Sequence, residues 1–175
     1  IGARWILATA LQELGCFLLS HESAQAARPS LEESAALFRA VGDIHGLTAG
    51  LSALIAVETM QENITQATTL AHEFLMQARE FGNIPALIDA LYMMSYVTSL
   101  QGDSTQGIPY AQEGLVLARE LGDKAASGRM LGSLGDAALE QDNLQEAAAF
   151  FEETLALFRE VGNKDNCAAT LSGLG

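Results

Sequence analysis

Apolar residues recur along this chain at helical spacing, and the helical runs themselves recur every 40 residues. Leu131, Leu134 and Ala138 share one face at i, i+3, i+7, and Ala147, Phe151, Leu155 and Phe158 share a face on the next run. Leu51, Leu91, Leu131 and Leu171 occupy one register of the 40-residue step. Polar positions keep the same step: Arg39, Arg79, Arg119 and Arg159 form one register, and Glu33, Glu73, Glu113 and Glu153 another. Gly42, Gly82, Gly122 and Gly162 close each unit without insertion or deletion.

The residue types predict what the unit is. A glycine just past an apolar run can take positive φ without a Cβ clash, so it ends a helix. The arginine three residues earlier sits in the last turn, where a cation suits the negative end of the helix dipole. Asp43, Asn83, Asp123 and Asn163 follow the glycines as N-caps, so one helix stops and the next starts within about two residues. Ser23, Asn63, Asp103 and Asn143 mark a second boundary midway. Gln66, Gln106 and Glu146, three residues on, predict capping boxes whose side chains reach back to the cap. Each unit is therefore two helices of roughly 18 residues, about 27 Å long at 1.5 Å per residue. Small residues at Ala27, Ala67, Gly107 and Ala147 let neighbouring helices approach. Pro29 and Pro109 share a register about six residues past the cap, where proline removes a helical hydrogen bond. A late start of both helices is expected, because Gly107 and Ile108 leave few good helix formers ahead of Pro109.

One helix pair cannot bury both its faces, so the pairs must stack. The expected organisation is a single all-α solenoid over 1–175. Its repeats run 3–42, 43–82, 83–122 and 123–162, with a partial repeat 163–175, giving about nine helices. The last helix keeps Leu171 and Leu174 in phase with no polar cap after it, which leaves an apolar end open to self-association. A start at Ile1 rather than Met marks the chain as a piece of something longer.

Composition narrows the partners. The net charge of −13, with Lys124 and Lys164 the only lysines, repels phosphate backbones and anionic headgroups. No direct nucleic-acid or membrane binding is expected; a basic partner, or simple solubility, fits the charge. Cys16 and Cys167 fall at opposite ends of the array and cannot meet, so they read as free thiols in a reducing, cytoplasmic compartment. No membrane span or signal peptide is visible.

Chemistry is sparse. There is no phosphate-cradling loop, no Cys-x-x-Cys and no His-Glu-x-x-His. His21, His45 and His72 fall at unrelated phases, so they read as structural or solvated rather than metal-binding. Paired glutamates such as Glu32-Glu33 and Glu152-Glu153 lie on second helices, whose outer faces are solvated. Asn63-Ile64-Thr65 spells a glycosylation sequon, but Asn63 is read as a cap. No catalytic residue, metal or cofactor is assigned, and the chain is read as no enzyme.

The fourth unit carries Leu131, Leu134-Gly135, Ala147 and Phe151, with Thr154 at a position usually held by Ala, and the first carries Leu14-Gly15 and Ala27. In this the chain resembles the tetratricopeptide repeat family, with Ile55 and Ser95 at the glycine position of the second and third units. The 40-residue unit, longer than the family's usual 34, is similar to repeats of bacterial multidomain regulators and of animal spindle-orientation adaptors. The resemblance implies a right-handed superhelix whose first helices line a concave groove. By register it puts Gln12, Cys16, Ser52, Ala56, Asp89, Tyr92, Tyr96, Arg129 and Asp136 on that groove. Tyr92 and Tyr96 are i, i+4 neighbours; they either fill space between repeats or, beside Asp89 and Arg129, form the contact centre for a partner. The family's carboxylate clamp needs Lys and Asn where this chain has Gln12, Cys16, Ser52, Ala56, Tyr92 and Tyr96.

The expected function is a protein-interaction scaffold within a larger cytoplasmic signalling or regulatory protein, holding a peptide or partner helix in the groove. Two alternatives stand beside it: an inducer-sensing domain of a bacterial transcription regulator, and an architectural or self-associating solenoid.

Overall fold

The computed structural model describes residues 2–163 and residue 170. Eight α-helices follow one another among them: α1 (Gly2–His21), α2 (Ala24–Val41), α3 (Ile44–Met60), α4 (Ile64–Phe81), α5 (Ile84–Leu100), α6 (Ile108–Leu121), α7 (Lys124–Glu140) and α8 (Leu144–Glu160). One 3-10 turn, Ser104–Gly107, precedes α6, and the described residues include no strand. The ninth helix, with Lys164, Cys167, Leu171, Leu174 and the apolar end, lies outside the described residues apart from Thr170, which is helical. The chain divides into two compact units, Ile1–Ala86 and Leu87–Gly175.

The 40-residue boundaries are made by backbone geometry that glycine supplies. Gly42, Gly82 and Gly122 close α2, α4 and α6 at φ of 74°, 64° and 70°. At the first and third of these the chain folds back on itself, as the N–H of Asp43 reaches Phe38 O at 3.0 Å and that of Asp123 reaches Ala118 O at 2.9 Å. The next helix starts at once. Asp43, Asn83 and Asp123 each accept a hydrogen bond from the N–H three residues on, at 3.1, 3.1 and 2.9 Å.

The midway boundaries differ from expectation. Ser23 caps α2 through Ala26 N at 3.1 Å, and Asp103 caps the 3-10 turn through Thr105 N at 3.2 Å. Asn63 and Asn143 occupy the cap positions of α4 and α8 without a side-chain cap bond. The Asn63 amide is drawn instead to Glu58 Oε2 at 3.0 Å, and that of Asn143 to Glu146 at 3.4 Å. The turn before each is closed by a non-glycine in the left-handed region, Glu62 and Asp142, both at φ 60°, where the third repeat has Gly102 at 84°.

The two prolines also part ways. α6 starts late, at Ile108, with Pro109 in its first turn. α2 does not: it begins at Ala24 and runs through Pro29. The reason lies upstream. Ala24-Gln25-Ala26-Ala27-Arg28 are strong helix formers that offset one missing hydrogen bond, whereas Ser104-Thr105-Gln106-Gly107 are not and settle for a 3-10 turn.

Core packing follows a volume exchange between the two helices of each repeat. Gly15 on α1 lies under Leu31 of α2, and Gly135 on α7 lies under Phe151 of α8. At the same registers the second and third repeats have Ile55 with Ala71 and Ser95 with Ala111, so a larger residue on the first helix stands with alanine on the second. All four of these last residues are buried. Close packing permits either arrangement where the summed volume is kept, as it is for Ile55 with Ala71; Ser95 with Ala111 falls short of it, and Ser95 lines a cleft instead. A buried hydroxyl ties first and last repeats in the same way. Ser34 Oγ donates to Ala8 O at 2.7 Å, and Thr154 Oγ1 to Gly128 O at 3.3 Å.

Candidate cleft in the second unit

α5 and α7 are first helices of successive repeats, so residues 40 apart stand in matching rows. Three rows matter: Asp89 with Arg129, Tyr92 with Gly132, and Tyr96 with Asp136. In the first row Arg129 Nη2 donates to Asp89 Oδ1 at 2.7 Å. The same guanidinium lies 5.4 Å from the centroid of the Tyr92 ring, a cation over an aromatic face. The Tyr92 and Tyr96 rings stack with centroids 6.4 Å apart and planes 15° from parallel. The i, i+4 spacing on α5 produces that stack, and Tyr96 remains 40% exposed.

Below the rings a cleft of about 230 Å³ opens. Tyr92, Ser95, Tyr96 and Ser99 of α5 line one side, and Gly128, Arg129, Gly132, Ser133 and Asp136 of α7 the other. Ser104 of the 3-10 turn, Thr154 and Phe158 of α8, and Thr170 complete it. A Cβ added at Gly132 would meet no atom within 4 Å, so the missing side chain is what leaves space opposite Tyr92. Ser104 is held by Glu140, which accepts from its Oγ at 2.6 Å and its N–H at 3.1 Å.

The electrostatics are those of a partly desolvated, acidic cleft. Burial pushes the Tyr92 hydroxyl up; Arg129 opposes the shift, and Tyr96 and Asp136 add to it. Burial likewise raises the Asp89 carboxyl against the pull of Arg129, with Asp123 adding to the rise. The Asp136 carboxyl is raised by burial and then by Glu140. Asp136 is solvent-exposed and has no ion-pair or hydrogen-bond partner among the described residues, while the Nε of Arg129 is buried without an acceptor.

Thus Tyr92, Tyr96, Arg129 and Asp136 come together on one cleft, with Asp89 holding Arg129 from its edge. The serines and Gly132 were missed. Gly132 was legible, since it completes the row of Gln12, Ser52 and Tyr92; the serines carry no signal in a single sequence.

The four remaining residues sit in the first unit. Gln12, Ser52 and Ala56 are half-buried and Cys16 is exposed. The Gln12 side-chain oxygen is buried without a partner. Burial, aided by Glu13, raises the Cys16 thiol, which disfavours the reactive thiolate. The first unit has its own opening of about 240 Å³, and none of these four lines it. That opening surrounds an ion pair that sequence reading passed over. Arg28 of α2 donates from both terminal nitrogens to Glu58 of α3, the second contact at 2.9 Å, and also meets Gln61. The Glu58 side chain is 3% exposed. At the other end of α3, the Trp5 indole donates to Asp43 at 2.6 Å. Burial alone would raise the Asp43 carboxyl; the N–H of Gly46, the indole and His45 together leave it below the usual range.

The outer arginine and glutamate registers prove to be joined. Arg39 pairs with Glu73 in the first unit and Arg119 with Glu153 at 2.6 Å in the second, a constant offset between second helices of successive repeats. Both pairs are solvent-exposed and so contribute little stability. Among the described residues no group of three His, Cys, Asp or Glu could hold a metal ion, and no helix is long and apolar enough to cross a membrane.

Comparisons with known proteins bear on the fold. Residues 87–160, which contain the cleft helices, match the family model described as tetratricopeptide repeat. A signal transduction ATPase with numerous domains carrying a tetratricopeptide repeat sensor, from Pyrococcus horikoshii, superposes with a TM-score of 0.80 at 17% identity. The match covers 98% of this chain and 27% of that one, so this chain spans about a quarter of its length. The nearly identical repeats of a putative kinesin light chain from Podospora anserina give 0.73 at 13% identity, over 98% of this chain and 84% of the other. BtubC from P. vanneervenii gives 0.65 at 14%, over 99% and 81%. At such identities the likeness establishes the fold. No curated protein sequence matches.

Proposed function

Residues 87–160 are tetratricopeptide repeats, and from that premise we propose that the chain is an interaction module whose second unit takes a protein segment into the α5–α7 cleft. Repeats of this family serve in general as protein-binding scaffolds rather than catalysts. The observation that carries the proposal is the row Tyr92/Gly132, where an aromatic ring faces a missing side chain. An aromatic and an arginine beside an open, partly desolvated space are what a partner's anchor residue needs. Cleft volume favours a side chain over a free metabolite. About 230 Å³ falls below the ~300–1,000 Å³ usual for small-molecule pockets. That weighs against the inducer-sensing reading, although a sensor is what the Pyrococcus protein's repeats are called.

By the same reading the chain works as one part of a larger cytoplasmic regulatory protein, and within the first unit Gln12, Cys16, Ser52 and Ala56 are further contact residues. The test is selection of displayed random peptides on the chain, followed by affinity measurement on the Tyr92→Ala/Tyr96→Ala variant. A loss of at least tenfold with helicity retained is expected. Unchanged affinity in a folded variant overturns the assignment.

A further inference from the structure

The three rows of the cleft differ in how their charges are settled. In the first, Asp89 and Arg129 neutralise each other at 2.7 Å. In the third, at the same offset of 40, Tyr96 and Asp136 both line the cleft, so the row holds a ring and a carboxylate with no cation. Between them, Gly132 leaves the way open. We propose that the Tyr96/Asp136 end of the cleft is a subsite for one cationic side chain, arginine or lysine, of the bound protein segment. The proposal rests on the cleft being the partner site and adds which residue that partner must carry.

Four observations support it. The fold already makes the required contact once, since Arg129 lies over Tyr92; Tyr96, stacked beside it and 40% exposed, is the ring still open to a cation. Asp136 lines the same cleft and has no partner among the described residues, and a carboxylate is the group that turns a cation–π contact into a specific one. Glu140, the next acid on α7, is engaged by Ser104 and contributes its field while its oxygens stay occupied. An anionic anchor is disfavoured by the charge of −13 and by both acids.

The test uses the whole chain and two small probes, N-acetyl-arginine amide and its uncharged isostere N-acetyl-citrulline amide, titrated by NMR. Saturable binding of the arginine probe in the millimolar range is expected. It should weaken at least tenfold for citrulline, for Asp136→Asn, and for Gly132→Leu, whose Cβ meets no atom within 4 Å and whose branch projects into the space. Equal binding of the two probes, or full arginine binding by folded Asp136→Asn, overturns the subsite. Peptides selected on the wild-type chain separate the two levels of the reading. Binders blocked by Gly132→Leu that lack arginine and lysine overturn the subsite and keep the cleft. Binders indifferent to Gly132→Leu overturn the cleft, and the subsite with it.

Discussion

Gly132 and Gly135 lie one turn apart on α7, and the same substitution should act on them with opposite sign. Replacing a helical glycine by alanine gains about 1 kcal/mol in backbone entropy. At Gly132 the new methyl meets nothing within 4 Å, so the gain is unopposed. A rise in Tm of roughly 2–4 °C is expected for a chain of this length. At Gly135 the methyl would sit 2.7 Å from Phe151 Cε1 and 2.8 Å from Cζ, well inside the ~3.5–4.0 Å of a good carbon contact. The ring is 3% exposed and is packed with Ala138 and Ala147, so it has little room to retreat. Overpacking of this kind costs about 1–3 kcal/mol, which leaves Gly135→Ala less stable than wild type by up to about 2 kcal/mol. Urea unfolding followed by far-UV circular dichroism reads both variants, with unchanged m-values required before the midpoints are compared. If Gly135→Ala proves as stable as Gly132→Ala, the packing described for α7 on α8 is wrong. If Gly132→Ala is destabilised, the space opposite Tyr92 is already filled and the cleft falls with it.

Glu62→Gly and Asp142→Gly should each stabilise the chain by about 1 kcal/mol, because a side chain held at φ 60° costs about 1–2 kcal/mol that glycine avoids; calorimetry showing no gain at either would mean those turns relax. Arg28→Met strands the Glu58 carboxylate, at 3% exposure, and should cost about 3 kcal/mol, while Arg28→Met/Glu58→Leu recovers most of the loss; a double variant no better than the single one refutes that account. Asp136 has a raised folded-state pKa, so folding favours its protonated form, and wild-type stability improves relative to Asp136→Asn as pH falls through that raised value. Asp136→Asn should therefore be the more stable protein at pH 7, with the advantage shrinking at pH 4; urea midpoints at both values check the sign.

Most of the architecture was legible because it is periodic. The glycine, arginine and aspartate or asparagine of each 40-residue boundary follow from helix-end geometry, and the helices begin and end where those residues stand. What escaped was anything decided between helices. No local pattern tells that Ala24 to Arg28 would carry a helix through Pro29 while Ser104 to Gly107 would not carry one to Pro109; propensity differences of tenths of a kcal/mol per residue settle it. The second and third repeats look weak against the family pattern, with Ile55 and Ser95 in place of glycine, only while one helix is read at a time. Read with Ala71 opposite, Ile55 is the same volume distributed the other way; Ser95 with Ala111 is a smaller pair, and Ser95 lines the cleft. The Arg28–Glu58 pair escaped for the same reason, since its two halves are 30 residues apart with no equivalent in the other repeats.

That distinction separates structural departures from functional ones in a repeat array. A residue that breaks the repeat and is answered from a neighbouring helix belongs to the packing: Ile55 stands with alanine, buried Glu58 meets Arg28, Gly135 receives Phe151. A residue that breaks the repeat and goes unanswered from a neighbouring helix is one that packing does not explain. Two positions of the second unit meet that description. Gly132 offers Tyr92 no side chain, and the Asp136 carboxylate has water but no partner among the described residues. Both lie in one cleft, on adjacent rows, within the residues that match the repeat family. Both would be answered together by one event, a basic side chain entering from outside, which is why Asp136→Asn is expected to stabilise the free chain and to weaken what it binds.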